Sequence, residues 1–353
     1  MNSARFASKS DVGLRPRLLA LTACLIGANI ATWIWAFSAF SDQPALLGAA
    51  MLAYTLGLRH AVDADHIAAI DNSVRKLMQQ GQRPLCVGLF FSLGHSTVVV
   101  LLSLAVGFAS AGVVARFEGL KEVGGLIGAS VSAGFLLLLA LVNVIAFVSV
   151  YRAFRAVRAG APYVEDDFDY LLNGRGFLAR LFRPLFGFVG KSWHLYPVGF
   201  LFGLGFDTAT EVALLGMSAT QAAQGISFVD LLAFPALFTA GMTLLDTADG
   251  VLMLGAYGWA FVRPIRKLYY NLTITAVSVV IALLIGGVEA LGLIGGRLGL
   301  QGGFWRAIEA LNANLGVFGY VIVAIFVASW LVSFAVYRLK GFDELEIPRA
   351  GRA

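Results

Sequence analysis

The sequence predicts an all-α integral membrane protein with eight transmembrane helices. Apolar residues make up 59% of its 353 residues and charged residues only 13%. Eight apolar segments are each long enough to cross a bilayer as a helix, which takes about 20 residues. The basic residues cluster between alternate segments, as they do on the cytoplasmic side of membrane proteins. The whole chain, 1–353, is therefore expected to form one polytopic membrane domain.

The apolar excess is continuous along each segment rather than periodic. A soluble domain of this composition would have too little polar surface to face water, so lipid must solvate the chain. The first apolar run begins near Leu18 and lacks a small-residue cleavage site after a short core. It is therefore expected to be a membrane helix and not a cleavable export signal.

The eight predicted spans are distributed over most of the chain. They lie near 18–40, 45–71, 85–110, 123–151, 194–217, 230–257, 268–293 and 315–337. The second and sixth are the least regular because both contain carboxylates. The longest connection, 152–193, is expected to be a cytoplasmic loop.

The basic residues set the predicted orientation. With the N-terminus in the cytoplasm, the five cytoplasmic segments hold 21 of the 26 Lys and Arg residues, and the opposite side holds four. The remaining one, Arg59, lies inside a span. This bias places both termini in the cytoplasm. The protein is expected in a bacterial inner membrane. It also explains the net charge of +5 without a nucleic-acid partner.

A short pattern is repeated in the third and sixth spans. The motif F-[ST]-x-G-x-[ST] occurs at 91–96 and again at 238–243. Units that lie three spans apart have opposite orientations in the membrane, which is how inverted-repeat transporters are built. On the basis of this six-residue motif, an inverted repeat is a hypothesis for this chain.

Carboxylates inside the predicted spans are costly unless something neutralises them. An unpaired one costs about 2.5–3.5 kcal/mol at the bilayer centre. Only Arg59 is basic at comparable depth, so a cationic substrate is the economical partner. We expect Asp63 and the acids of the fifth and sixth spans to line an ion path, with hydrogen bonding to nearby threonines as the alternative role of the latter. Asn29 in the first span is expected to face the same path. The acids are Asp63, Asp65, Asp207, Glu211, Asp246 and Asp249.

The densest polar cluster is the segment 59–67, RHAVDADHI. On an ideal helix His60, Asp63 and His66 form one stripe, and Arg59 can pair with Asp63 at i, i+4. Asp65 would point about 140° away from His60. Either the helix is distorted and Asp65 is a ligand, or Asp65 orients a histidine that binds a metal.

A third histidine, His95, lies in the next span. Imidazole nitrogen suits nickel, cobalt, zinc and copper, whereas cages of carboxylates suit magnesium or calcium. The predicted ligands of a transition-metal ion are therefore His60, Asp65, His66 and His95. A lone intramembrane histidine such as His95 is as readily a polar packing contact. The ion is expected as a substrate, with no resident cofactor.

Four motifs, at 59–67, 91–99, 204–211 and 241–250, together resemble those of the nickel/cobalt transporter family of bacterial and fungal permeases. The resemblance implies high-affinity uptake of nickel, cobalt or both by a single-chain secondary carrier with eight spans. It also implies that His60, Asp65 and His66 are required for transport. Nickel-preferring and cobalt-preferring uptake stay open as alternatives. The matching motifs are RHAVDADHI at 59–67, FSLGHSTVV at 91–99, LGFDTATE at 204–211 and GMTLLDTADG at 241–250.

Other functional classes fit the sequence less well. A zinc protease would need HExxH on a helix, but no glutamate lies between His60 and His66. Gly190-Lys191-Ser192 resembles the end of a phosphate-binding loop, yet Leu185 occupies the position of its first glycine, so no ATPase subunit is predicted. The chain is not expected to be an enzyme, and divalent-metal efflux is an alternative on physical grounds.

Overall fold

The computed structural model describes residues 13–108, 111–158, 189–204, 209–260 and 264–339. Regular secondary structure within these ranges is helical. The first helices are α1 Leu14–Phe40, α2 Pro44–His60, α3 Ala64–Gln79, α4 Val87–Phe108 and α5 Ala111–Arg158. A 3₁₀ turn, Ser192–His194, leads into α6 Leu195–Gly203, α7 Ala209–Ala223, α8 Phe228–Leu231, α9 Ala233–Ala260, α10 Pro264–Leu298, α11 Gly303–Ala313 and α12 Leu315–Leu339.

Five helical segments are long and apolar enough to cross a membrane, and seven are if each bent pair counts as one span. The bent pairs are α2 with α3, at 52°, and α11 with α12, at 79°. The predicted class, an all-α multi-pass membrane protein, is therefore confirmed, and the number of eight spans stays a prediction. The five are Leu14–Phe40, Val87–Ala105, Gly125–Ile145, Phe228–Tyr257 and Thr275–Leu298.

The fifth predicted span, 194–217, is divided between two short helices. It falls on α6 and α7, and residues 205–208 between them lie outside the described part of the chain. The predicted loop 152–193 is described at its two ends, where α5 continues to Arg158 and the 3₁₀ turn precedes α6. Most of that loop, 159–188, lies outside the described residues.

The second predicted span is a broken helix. α2 ends at His60, and α3 begins at Ala64 after a turn at 61–63. The N-terminal cap of α3 is Asp63, whose backbone is extended at φ −66° and ψ 146°. α12 packs against this break so closely that a methyl group added at Gly319 would overlap the carbonyl oxygen of Val62. The side chains on either side of the break therefore do not follow one helical stripe.

α3 is the central helix of the structure. It packs against α4, α5, α9, α10 and α12. It also continues to Gln79, beyond the predicted end of the span at residue 71. Arg75 and Lys76, which lie in the predicted connection between the second and third spans, are instead buried in this helix at 1% and 3% exposure. A helix surrounded by other helices can carry polar groups that a lipid-facing helix cannot.

Two helix pairs, α2 with α9 and α4 with α6, approach each other through glycines in the same way. In each pair, a methyl group added at the glycine of either helix would press on a backbone carbonyl oxygen of the other. The two copies of the repeated F-[ST]-x-G motif thus occupy equivalent positions, each against a Y-x-x-G segment. The contacts join Gly57 to Phe238, Gly241 to Tyr54, Gly94 to Tyr196 and Gly199 to Phe91.

The apolar core consists of two clusters. One surrounds α3 and includes Phe91 of α4. The other joins α1, α2 and α9 and includes Phe238. His66 packs edge-on against Phe91, and the ring of His60 lies 5.6 Å from that of Phe238. The polar residues around the helix break are therefore enclosed between the two clusters.

Candidate metal centre

Three of the four histidines meet at the break between α2 and α3. His60 is the last residue of α2, His66 lies in the first turn of α3, and His95 lies within α4. One nitrogen from each lies within 4.8 Å of the others. The three side chains are buried, at 1%, 0% and 3% exposure. The structure thus gathers three imidazoles into a group that can hold a metal ion.

The shortest distance in the group joins His60 and His95, whose Nε2 atoms are 2.9 Å apart. The centroids of the three rings are 4.7–4.8 Å from one another. Nε2 of His66 is buried and has no hydrogen-bond partner. Leaving a buried polar atom unpaired costs about 1–3 kcal/mol. A ligand that accepts electron pairs from these nitrogens would remove that cost.

Carboxylates hold the outer nitrogens of two of the histidines. Oδ2 of Asp63 lies 2.9 Å from Nδ1 of His60, and Oδ2 of Asp246 lies 3.3 Å from Nδ1 of His66. Thr210 also contacts Nδ1 of His60, at 3.0 Å. A carboxylate on one ring nitrogen fixes the tautomer and leaves the other nitrogen for a metal. His60 and His66 both present Nε2 to the group in this way.

A third carboxylate lies at the group itself. Oε1 of Glu211, in α7, is 2.8 Å from Nε2 of His95 and 3.9 Å from Nε2 of His60. This oxygen is therefore close to two imidazole nitrogens at once. Mixed imidazole and carboxylate donors of this kind suit borderline divalent metals such as nickel, cobalt and zinc.

The family of high-affinity nickel-transport proteins (NicO) matches this chain over residues 46–336. The chain belongs to that family. The match contains the three histidines and Glu211. No solved structure matches the chain.

Named relatives cover nearly the whole chain. The "High-affinity nickel transport protein" of Cupriavidus necator is 56% identical over 333 residues, which is 94% of this chain and 95% of that protein. The "High-affinity nickel-transport protein NixA" of Helicobacter pylori strain 26695 is 45% identical over 311 residues, 87% of this chain and 92% of that protein. The "Cobalt transport protein NhlF" of Rhodococcus rhodochrous is 40% identical over 308 residues, 85% and 87% respectively.

Asp65 lies beside the three histidines and not among them. Its side chain is half-buried, and its Oδ1 accepts a hydrogen bond from the backbone N–H of His66 at 2.9 Å. The helix is distorted here, as one of the two alternatives required, but whether Asp65 is a ligand or a support of a histidine stays a prediction. The described geometry gives Asp65 a contact that holds the start of α3, the element that carries His66.

The predicted ion pair between Arg59 and Asp63 is replaced by another contact. Arg59 is exposed, and the pair is not among the ion pairs within 4 Å in the described part of the chain. The i, i+4 relation between the two residues assumed a continuous helix. Because α2 ends at His60, Asp63 turns back and contacts His60.

Two other predicted path residues are placed away from the three histidines. Asn29 donates hydrogen bonds to the carbonyl oxygens of Leu25 and Ala240 and accepts one from the hydroxyl of Tyr54, so it joins α1, α2 and α9. Asp249 is one turn beyond Asp246 on α9, and its buried Oδ2 has no hydrogen-bond partner.

The last predicted path residue, Asp207, lies outside the described residues. Of the six predicted path residues, the structure therefore brings Asp63, Glu211 and Asp246 into contact with histidines. Asn29 and Asp249 occupy the separate positions given above.

Several buried polar residues are not predicted from the sequence. Asp71 and Arg75 on α3 belong to a second polar cluster, described below. The i, i+4 spacing of Asp71 and Arg75 is a sequence signal for a pair of charges on one helix face. Because the predicted second span ends at residue 71, Arg75 falls in a predicted loop and the signal is lost. Glu289 in α10 was also missed; it is 7% exposed and accepts a hydrogen bond of 2.7 Å from Ser132.

Proposed function

We propose that this chain carries nickel ion into the cell across the inner membrane, with the metal as substrate. The observation that carries the proposal is the meeting of His60, His66 and His95 at one buried point. Imidazole prefers borderline metals such as nickel over magnesium or calcium. Membership in a family of high-affinity nickel-transport proteins supports the same substrate.

The charges around the histidines favour a divalent cation. Asp63, Asp246 and Glu211 each lie within 3.3 Å of an imidazole nitrogen. All three are buried. Burying several carboxylates without a counter-charge is expensive, and a divalent ion would offset much of that cost. The site therefore suits a cation that binds and dissociates during transport.

The membrane topology of the proposal has eight spans with both termini in the cytoplasm. The distribution of basic residues supports it, and α6 with α7 would form the fifth span. The equivalent glycine contacts of the two F-[ST]-x-G motifs support an inverted repeat. Metal would enter from the outer side and exchange its bound water for the histidines and nearby oxygens. It would leave when the two units of the inverted repeat rotate against each other. This is the mechanism of a single-chain secondary carrier and not of an enzyme.

Cobalt is the second candidate substrate. A relative from Rhodococcus rhodochrous that is 40% identical is named a cobalt transport protein. Nickel and cobalt differ little in their preference for imidazole. The three-histidine group accordingly supports either ion.

Uptake of radiolabelled nickel by cells that express the chain tests the proposal. Cobalt, zinc and manganese are added separately as competitors, and His60→Ala at equal expression is the reference. We expect nickel to accumulate only with the parent chain, and cobalt to compete better than manganese. Accumulation equal to that of the variant would contradict the proposal, and faster loss of nickel from preloaded cells would indicate efflux.

A further inference from the structure

A second buried polar cluster surrounds Asp71 on α3. The side chain of Asp71 is fully buried. Its carboxylate accepts hydrogen bonds from the hydroxyl of Tyr257 on α9 and from that of Ser278 on α10, the latter at 2.7 Å. Three helices thus converge on one carboxylate, at a distance of five residues along α3 from His66.

Arg75 lies one turn further along the same helix and lacks partners for part of its charge. It is 1% exposed, and its Nη2 donates to Oδ1 of Asn72 at 2.9 Å. The amide of Asn143 on α5 donates to the same oxygen. Nε and Nη1 of Arg75 have no hydrogen-bond partner. No ion pair of Arg75 within 4 Å occurs among the described residues.

A buried guanidinium with two unpaired nitrogens is an unfavourable arrangement by itself. The unpaired nitrogens are explained if Arg75 pairs with a second residue in another conformation of the protein. Asp71 is four residues earlier, the spacing at which opposite charges meet on a helix surface.

Carboxylates connect this cluster to the histidines. Asp246 contacts His66, and Asp249 follows it at i, i+3 on α9. Asp249 lies on α9 between Asp246, which contacts His66, and Tyr257, which donates to Asp71. Oδ1 of Asp246 and Oδ2 of Asp249 are buried without hydrogen-bond partners. A row of oxygen donors therefore extends from the three-histidine group to Asp71.

Resting on the proposed function, we propose that Asp71 and Asp249 form an oxygen-only transit site for the metal. Arg75 is the tethered cation that pairs with these carboxylates after the metal has left. Oxygen donors hold nickel less tightly than imidazole does. A carrier needs such a weaker site, because an ion that binds only strongly does not leave.

One of the two transit-site carboxylates, that of Asp249, borders a cavity. Asp249 and Tyr257 reach the wall of a cavity of about 550 Å³ between α9 and α12. The rest of the wall is largely apolar, with Ser329 as a further polar group. The side chain of Asp249 therefore has free space on its α12 side.

Charge-neutral substitutions with matched controls test this site. The variants are Asp71→Asn, Arg75→Gln, Arg75→Lys and the double variant Asp71→Asn/Arg75→Gln. Lys76→Gln is the control, because Lys76 is buried on the same helix and has no described contact with a carboxylate. Each purified protein is assayed for equilibrium binding of nickel, and each is assayed in cells for the rate of nickel uptake.

We expect Asp71→Asn to bind nickel as the parent does but to take it up about tenfold more slowly, since it loses the transit site and not the histidines. Arg75→Gln should also slow uptake, whereas Arg75→Lys and Lys76→Gln should stay near the parent rate. The double variant should be no slower than Asp71→Asn, because two residues that act on each other have non-additive effects.

Several results would overturn the transit site. Parent-like uptake by Asp71→Asn would do so, as would a double variant slowed by the product of the two single effects. Loss of nickel binding in Asp71→Asn to the extent seen in His60→Ala would make Asp71 a support of the histidines. If Asp71→Asn does not fold, Asp249→Asn replaces it with the same criteria. A parent protein that neither binds nor accumulates nickel would instead refute the proposed function.

Discussion

His60 and His95 are 35 positions apart in the chain, yet their Nε2 atoms lie 2.9 Å apart. Oε1 of Glu211 lies 2.8 Å from the same atom of His95. This contact assigns His95 to the candidate metal centre, where sequence patterns alone left a packing role open. It also joins α2, α4 and α7 at one point.

Replacing His95 should weaken nickel binding. Removing a residue that only supports a ligand costs about 10–100-fold in metal affinity, so His95→Ala should lose at least about tenfold. Equilibrium binding to the purified protein measures the effect. His194→Ala is the matched control, because His194 is not part of the three-histidine group and its Nδ1 accepts a hydrogen bond from the backbone N–H of Gly190. Equal affinities for the two variants would remove His95 from the site.

Asp63 and Arg59 should differ in their effect on nickel binding. Asp63→Asn removes the charge that holds Nδ1 of His60, so the affinity should fall by about 10–100-fold. Arg59→Gln should bind as the parent does, because Arg59 is exposed and does not contact Asp63. The same binding assay tests both. If the two variants lost affinity together, the i, i+4 pair expected from the sequence would be the better description.

Nickel binding should weaken in acid. An imidazole nitrogen must be unprotonated to bind a metal, so protons compete with the ion as the pH falls through the histidine range. Equilibrium binding measured from about pH 7.5 to about 5.5 should show a decreasing affinity. Binding to a purified protein avoids the effect of pH on the driving force of transport. An affinity that does not change over this range would argue against imidazole ligands.

The glycine contacts between helices should be sensitive to added volume. Gly94→Val would force α4 away from the backbone of Tyr196 on α6, and overpacking of this kind costs about 1–3 kcal/mol. The midpoint of thermal unfolding in detergent should therefore fall. Gly48→Val is the control, because an added methyl group there meets no atom within 4 Å. A stable Gly94→Val protein would show that the helices are not in backbone contact.

Much of the candidate centre could be predicted from residue types. Histidines and acids inside apolar segments are conspicuous, and His60, His66 and His95 do meet. The break between α2 and α3 could not be predicted locally, since 61–63 is Ala-Val-Asp and contains neither proline nor glycine. The contact of Gly319 with Val62 comes from a helix more than 250 positions away, so tertiary packing accompanies the break.

The second polar cluster was missed for a different physical reason. Hydropathy treats each span as a helix that faces lipid, so a span was ended where Asp71 and Arg75 begin to lower its apolar character. α3 is enclosed by other helices and can bury those charges. A sequence pattern does not state which helix lies in the centre of a bundle, and the burial of Arg75 follows from that position.

X-ray absorption spectroscopy of the nickel-loaded protein tests the central claim most directly. It reports the donor atoms around nickel and recognises imidazole rings by their characteristic scattering. The three-histidine site predicts a coordination shell that contains imidazole nitrogens from His60, His66 and His95, with one fewer imidazole in His95→Ala. A shell made only of oxygen donors, or one that is unchanged in that variant, would contradict it.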